Sequence, residues 1–131
     1  MARILIADDS RFQVQMLASW LTPLGFEVII AADALQTWMT ALRSNPDVIL
    51  LDINMPGGTG IEVLKRLRMS IKTQHIPVIV VSGDHNPDTE TTARSLGAVA
   101  FLHKPVDQEE LRVTVNRAWN KDALPKQLGE S

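Results

Sequence analysis

Five side chains with chemistry to offer stand directly after short apolar runs of this chain. Asp8 and Asp9 follow Ile4-Leu5-Ile6-Ala7, Asp52 follows Val48 to Leu51, Ser82 follows Val78 to Val81, and Lys104 follows Phe101-Leu102-His103. Three carboxylates brought into one crevice repel. Two unit charges about 4 Å apart cost roughly 4 kcal/mol at an effective dielectric near 20. Such a set either shares a proton or binds a cation. Oxygen ligands without His or Cys select a hard cation, and few ligands with open positions suit Mg²⁺ better than Ca²⁺. A carboxylate is also a nucleophile able to form an aspartyl phosphate. Beside it, Lys104 can offset charge building on a transferring phosphoryl group. The Ser82 hydroxyl can donate to a phosphoryl oxygen, and the small Gly83 leaves room for it.

Any one of these aspartates has a plain structural explanation. Asp33 and Asp47, taken alone, read as cap or turn formers. Asp8-Asp9 is different, because Ser10 can cap the following helix without them. Asp84 adds a carboxylate near the mouth, or caps the next helix. The histidines His75, His85 and His103 lie on separate segments without metal-ligand spacing, which argues against zinc. His103 reads as pointing outward beside Lys104. Trp20, Trp38 and Trp119 fall on or near helix stripes and read as packing groups.

The elements that must position the set alternate in type. The apolar runs Ile4 to Ala7, Phe26 to Ile30, Val48 to Leu51, Val78 to Val81 and Val99 to Leu102 are rich in Val and Ile, as strands covered on both faces are. Glu27 in the second run suits a sheet edge. Helix-period stripes lie between them: Val14, Leu17, Ala18, Leu21; Leu35, Trp38, Met39, Leu42; Gly60, Leu64, Leu67, Ile71; and Leu111, Val115, Ala118. The fourth segment, about Asp88 to Leu96, is polar apart from Ala93 and Leu96, so that helix should be the least firmly held. Gly25 can end the first helix, and Thr59 with Glu62 fits a capping box at the third. Pro46 and Pro77 stand at strand entries.

The pattern predicts an α/β fold, a (βα)₅ doubly wound parallel five-stranded sheet with right-handed crossovers. In such sheets the active crevice lies at the carboxyl ends of the strands, which is where the five side chains fall. The second strand, followed by Ala31, Ala32 and Asp33, adds nothing there. With 131 residues the chain suits one domain, assigned to residues 1–120, followed by a tail or the start of a linker from Lys121 to Ser131. The absence of cysteine excludes disulfides, thiolate metal sites and a Cys nucleophile. A net charge of −2 gives no reason to expect direct nucleic-acid or membrane-surface binding. No apolar run is long enough to span a bilayer, and no signal-like stretch precedes Arg3, so a cytoplasmic location is expected.

Taken in order, four segments are similar to one known family. Ile4-Leu5-Ile6-Ala7-Asp8-Asp9-Ser10, Asp52-Ile53-Asn54-Met55-Pro56 with Gly60, Val81-Ser82-Gly83, and Gly97-Ala98 with Phe101-Leu102-His103-Lys104-Pro105 resemble the response-regulator receiver domains of two-component signalling, over about residues 2 to 120. The resemblance implies the flavodoxin-like, CheY-like strand order 2-1-3-4-5. It implies Asp52 as phosphoacceptor, Asp8 and Asp9 as the acidic pair holding Mg²⁺ (with Mn²⁺ able to substitute), and the Asn54 backbone carbonyl as a further metal ligand. Ser82 and Lys104 would meet the phosphoryl group. The Lys104–Pro105 bond would be cis, Phe101 would be the switch aromatic, and Gly83 and Asp84 would shape phosphoryl access. The partners implied are a histidine kinase or histidine phosphotransfer protein. An output partner, an output domain or a second copy would dock on the face of the fourth helix, fifth strand and fifth helix.

One departure from the family pattern is Gly58-Thr59, where a bulky apolar residue and then Asp or Asn usually precede the glycine. Gly57-Gly58 should make this loop more mobile. Three other functions fit the residues less well. An aspartyl-phosphate hydrolase resembles Asp-x-Asp at the nucleophile, and Asp52-Ile53-Asn54 lacks the second carboxylate. A flavodoxin-like electron carrier needs a hydroxyl- and Gly-rich phosphate loop in place of Asp8-Asp9-Ser10-Arg11-Phe12. A receiver-like interaction module that is never phosphorylated has no need of the intact acidic set. A signalling phosphoacceptor, with only self-catalysed phosphoryl transfer and dephosphorylation, is the expected function.

Overall fold

A computed structural model describes residues 1–55 and 57–120. Five strands form its sheet: β1 Arg3–Ala7, β2 Glu27–Ala31, β3 Val48–Asp52, β4 Val78–Ser82 and β5 Ala100–His103. All neighbours pair parallel, in the order β2-β1-β3-β4-β5. Five helices separate and follow them: α1 Arg11–Leu21, α2 Ala34–Ser44, α3 Gly60–Met69, α4 Pro87–Ser95 and α5 Gln108–Trp119. The second and fifth strands each begin one residue later than their apolar runs. Phe26 and Val99 belong to the approaches, and Val99 is exposed. No helix among the described residues is long and apolar enough to cross a membrane.

Alternation along each strand divides the core in two. Ile4, Ile6, Val48, Leu50, Ile79, Val81 and Leu102 face α1 and α5, meeting Val14, Leu17, Leu21, Leu111 and Val115. Leu5, Ala7, Ile49, Leu51, Val78, Val80 and Phe101 face the other helices, meeting Ala34, Ala41, Val63, Leu64, Leu67 and Ala93. Because side chains of a strand point alternately to its two faces, only a continuously apolar run can serve both layers. That is why the inner strands carry no polar residue between their first and last positions.

Local signals set the helix starts. Ser10, Asp33, Thr59 and Asp107 each accept a bond from the backbone N–H three residues on, and Asn86 from the one two residues on. Gly25 takes φ +97° after a short 3₁₀ turn at Thr22–Leu24. Glu27 lies on the edge strand, where it pairs with Arg3 at 2.6 Å.

Two helix stripes differ from expectation. In α2 the buried residues are Ala34, Thr37 and Ala41, while Leu35 and Met39 are exposed and Trp38 is partly buried. The inward stripe is thus offset by one residue, and small side chains meet the sheet. In α3 the stripe stops at Leu67, because the helix ends at Met69 and Ile71 is 84% exposed. The polar α4 buries only Ala93. Trp119, at the end of α5, is 42% exposed rather than packed.

After β3 the chain forms a small antiparallel hairpin, Asn54–Met55 against Gly58–Thr59, with Gly57 at φ +81°. Gly60 then passes so close to β3 that a Cβ would lie 2.4 Å from the Asp52 carbonyl oxygen and 2.7 Å from the Ile53 Cα. Both of those atoms are backbone, so the strain cannot be relieved by turning a side chain. Gly60→Ala should therefore lower stability by about 1–3 kcal/mol. Gly83→Ala, where a Cβ meets nothing within 4 Å, should change it by less than about 0.5 kcal/mol. Urea unfolding midpoints of the two variants provide the check, and equal midpoints would refute the close approach.

Candidate functional site

β1 and β3 are neighbours, so Asp8 and Asp52 leave the sheet side by side. Both are almost fully buried, at 3% and 5% exposure, while Asp9 stands exposed at the rim. One carboxylate oxygen from each of the three lies within 4.8 Å of the others. Asp8 Oδ1 accepts the Ser10 backbone N–H at 2.9 Å, and Asp52 Oδ1 accepts that of Asn54 at 3.1 Å. These bonds fix each carboxylate with one oxygen and leave the second toward the crevice.

Lys104 reaches those second oxygens. Its Nζ donates to Asp8 Oδ2 at 3.0 Å and lies 3.6 Å from Asp52 Oδ2. Its backbone N–H donates to the Ser82 carbonyl at 2.8 Å, which continues the β4–β5 ladder to the crevice. The Lys104–Pro105 peptide is cis. Ser82 is fully buried, and its Oγ accepts the Asp84 N–H at 2.9 Å. Asp84 in turn accepts from the Asn86 N–H at 2.8 Å and the Thr89 hydroxyl at 2.7 Å. Those bonds hold its carboxyl below the usual range, led by the Asn86 amide and then Thr89. Asp84 thus organises the loop and the first turn of α4, whose N-cap is Asn86 rather than Asp84. Gly83 faces open space.

Asp33 and Asp47 take the structural roles their types suggest: Asp33 caps α2, and Asp47 accepts the Arg3 backbone N–H at 2.7 Å. Phe101 is buried among the α2–α4 layer at 8% exposure. Pro56 and the tail from Lys121 to Ser131 lie outside the described residues. Sequence reasoning missed the direct Lys104–Asp8 pair, although one lysine among three acids had to find a partner. It also missed that His85 and His103 meet, with ring centroids 5.5 Å apart. Nothing in their spacing announces that contact.

Burial is the largest influence on Asp52 and pushes its carboxyl above the usual range. Asp8 and Asp9 push the same way, while the Asn54 amide and Lys104 pull it down. An acid whose folded pKa is raised favours folding only while protonated. Its cost is absent below the unfolded pKa and grows as pH rises through the folded one. With chelator present, Asp52→Asn should therefore raise the urea midpoint at pH 7. The gain should shrink toward zero below about pH 4, where carboxyls protonate in both states. A gain independent of pH would mean that relief of charge is not its origin.

The family model for the response regulator receiver domain matches residues 4–116. Protein PilH of Pseudomonas aeruginosa is 37% identical over 116 residues, covering 88% of this chain and 96% of PilH. Response regulator PleD of Caulobacter vibrioides is 38% identical over 106 residues, but this chain spans only 23% of its length. The structure of the Vibrio cholerae chemotaxis protein CheY4 superposes with a TM-score of 0.84 at 34% identity, covering 90% of this chain and 98% of that one. A match running from the first fully buried residue of β1 into α5 settles kinship: the chain belongs to the response-regulator receiver domain family.

Proposed function

We propose that this chain accepts a phosphoryl group on the Asp52 carboxylate, in a reaction that depends on Mg²⁺, and passes the event to a partner by a change of its surface. The observation that carries this reading is the convergence of Asp8, Asp9 and Asp52 oxygens within 4.8 Å of one another, with the Lys104 ammonium at their inner edge. An oxygen-only donor set with one exposed member fits a hard divalent cation. Asp8, Asp9, Asp52 and the Asn54 backbone carbonyl would hold it. When bound, Mg²⁺ would offset negative charge on the transferring phosphoryl oxygens.

The donor is the phosphohistidine of a histidine kinase or histidine phosphotransfer protein. An Asp52 carboxylate oxygen attacks phosphorus, the donor's P–N bond breaks, and the imidazole leaves with the electron pair. The product is an acyl phosphate. Its added charge draws the Lys104 ammonium from Asp8 and recruits the Ser82 hydroxyl. Ser82 Oγ also accepts the Asp84 N–H, so its movement pulls on the loop into α4. Phe101 lies on β5 beside that loop, and α4 is anchored by little more than Ala93. The face of α4, β5 and α5 is therefore the readout surface, where a partner, an output domain or a second copy docks. Such coupling requires the phosphoryl group to favour one state, typically by about 1–3 kcal/mol.

Incubation with Mg²⁺ and acetyl phosphate should add one phosphoryl group by intact mass, lost at alkaline pH. Asp52→Asn should abolish it, and an unchanged adduct in that variant would remove the site assignment. Mg²⁺ affinity should fall at least about tenfold in Asp9→Ala and stay unchanged in Asp33→Ala. Equal losses would remove the metal assignment.

The readout has its own test. Adding beryllofluoride with Mg²⁺ should shift backbone NMR signals of the β4–α4 loop, α4 and β5 while leaving α2 nearly still. A response confined to the crevice would sink the readout mechanism and leave phosphoacceptance standing.

A further inference from the structure

The large apolar side chains of α2 end up largely outside the core. Ala34, Thr37 and Ala41 fill the space above the sheet, which leaves Leu35 59% exposed and Met39 44% exposed. Leu35, Met39 and Arg43 are spaced four residues apart, so they form one ridge along the helix. Arg43 is exposed and is the only charged residue in α2. Apolar groups that adjoin on one outward ridge, unlike scattered ones, mark a contact surface.

The ends of the ridge differ in charge. At the Leu35 end a hollow of about 170 Å³ opens between α2 and α3, and Leu35, Val63 and the exposed Glu62 line it. Arg66 lines it too, but its guanidinium lies over the Trp38 ring, 4.8 Å from the centroid. Neither Glu62 nor Arg43 makes an ion pair among the described residues. The ridge is therefore complementary to itself. With a second α2 laid antiparallel on a two-fold axis at Met39, the two Met39 side chains meet on the axis. Arg43 then lies opposite Leu35 of the second copy. Its stem covers that leucine, and its guanidinium reaches Glu62 of the second copy beside the hollow. Methionine is adaptable enough to pack against its own copy. A parallel approach fails, because it sets Arg43 against Arg43 and leaves both Glu62 carboxylates alone.

We propose that this chain self-associates through α2, as an antiparallel two-fold dimer centred on Met39 and tied at each end by an Arg43–Glu62 pair. Each contact between the copies is thus made twice, as in any isologous interface. The sheet order puts β2 and β5 at opposite edges, so a dimer at α2 leaves the face of α4, β5 and α5 uncovered. Because α2 starts at the crevice end of the sheet, the two crevices open at opposite ends of the dimer. The contact does not depend on the phosphoacceptor reading.

The test is sedimentation velocity of the whole chain, with chelator and without phosphodonor, over a concentration series up to about 1 mM. A single helix pair buries an area at the low end for specific interfaces, so the dimer is weak and reversible. Wild type should pass from monomer to dimer along the series. Met39→Glu sets two carboxylates on the axis, and Arg43→Glu sets one against Glu62. Each should weaken association by about tenfold or more. Combining Arg43→Glu with Glu62→Arg exchanges the pair and should restore the dimer, which a misfolded variant cannot do. Val99→Glu, on the readout face, should leave association unchanged. The proposal is overturned if wild type stays monomeric throughout, if Met39→Glu associates as wild type does, if the double exchange restores nothing, or if Val99→Glu abolishes the dimer.

Discussion

Two carboxylates with almost no exposure to water, Asp8 and Asp52, sit side by side with a third, Asp9, at their rim. Each buried charge loses hydration, and the acids repel one another. The structure offsets this with the Lys104 ammonium, and with one backbone N–H on each buried carboxylate. The arrangement depends on the strand order. β1 and β3 must be adjacent, and β5 must lie on the same side of β3 as β4 so that the lysine can reach across. A parallel sheet also sends every strand's carboxyl end to one edge, so residues far apart in the chain share a crevice.

The same constraint links the crevice to its surroundings. Lys104 is tied by its backbone to Ser82, and Ser82 to Asp84, which holds the first turn of α4 through Thr89. Any change in charge at Asp52 is thus felt first by groups that organise the β4–α4 loop. On the opposite side, Gly60 allows α3 to start against the backbone of Asp52 and Ile53, and its N–H donates to the Ile53 carbonyl at 2.7 Å. One flank of Asp52 is rigid backbone contact. The other is a chain of hydrogen bonds to a helix that buries a single side chain.

Kinship with PilH, PleD and CheY4 establishes the domain family, and the chain spans nearly all of the first and about a quarter of the second. Receiver domains therefore occur both as nearly whole proteins and as parts of larger ones among the relatives. At the rim of its crevice this chain carries the Asp84 loop and the stacked pair of His85 and His103.

The amino-acid sequence alone determined the alternation of elements, the strand edge and the five side chains at it. Burial on both faces demands Val- and Ile-rich runs, and the polar residue that follows four of the five runs marks the sheet edge at which the crevice lies. Capping residues such as Ser10, Asp33 and Thr59 were legible for the same local reason: their bonds span only three residues. Tertiary structure decided what depends on distance and on choice of face. In α2, the stripes through Leu35 and through Ala34 differ by one residue, and only the space above the sheet selected the smaller side chains. Ile71 continued a helical period that the chain had already left. Lys104 meets Asp8, and His85 meets His103, because parallel strands bring their ends together. No periodicity records that contact, since it arises from sheet order rather than from neighbours in the chain.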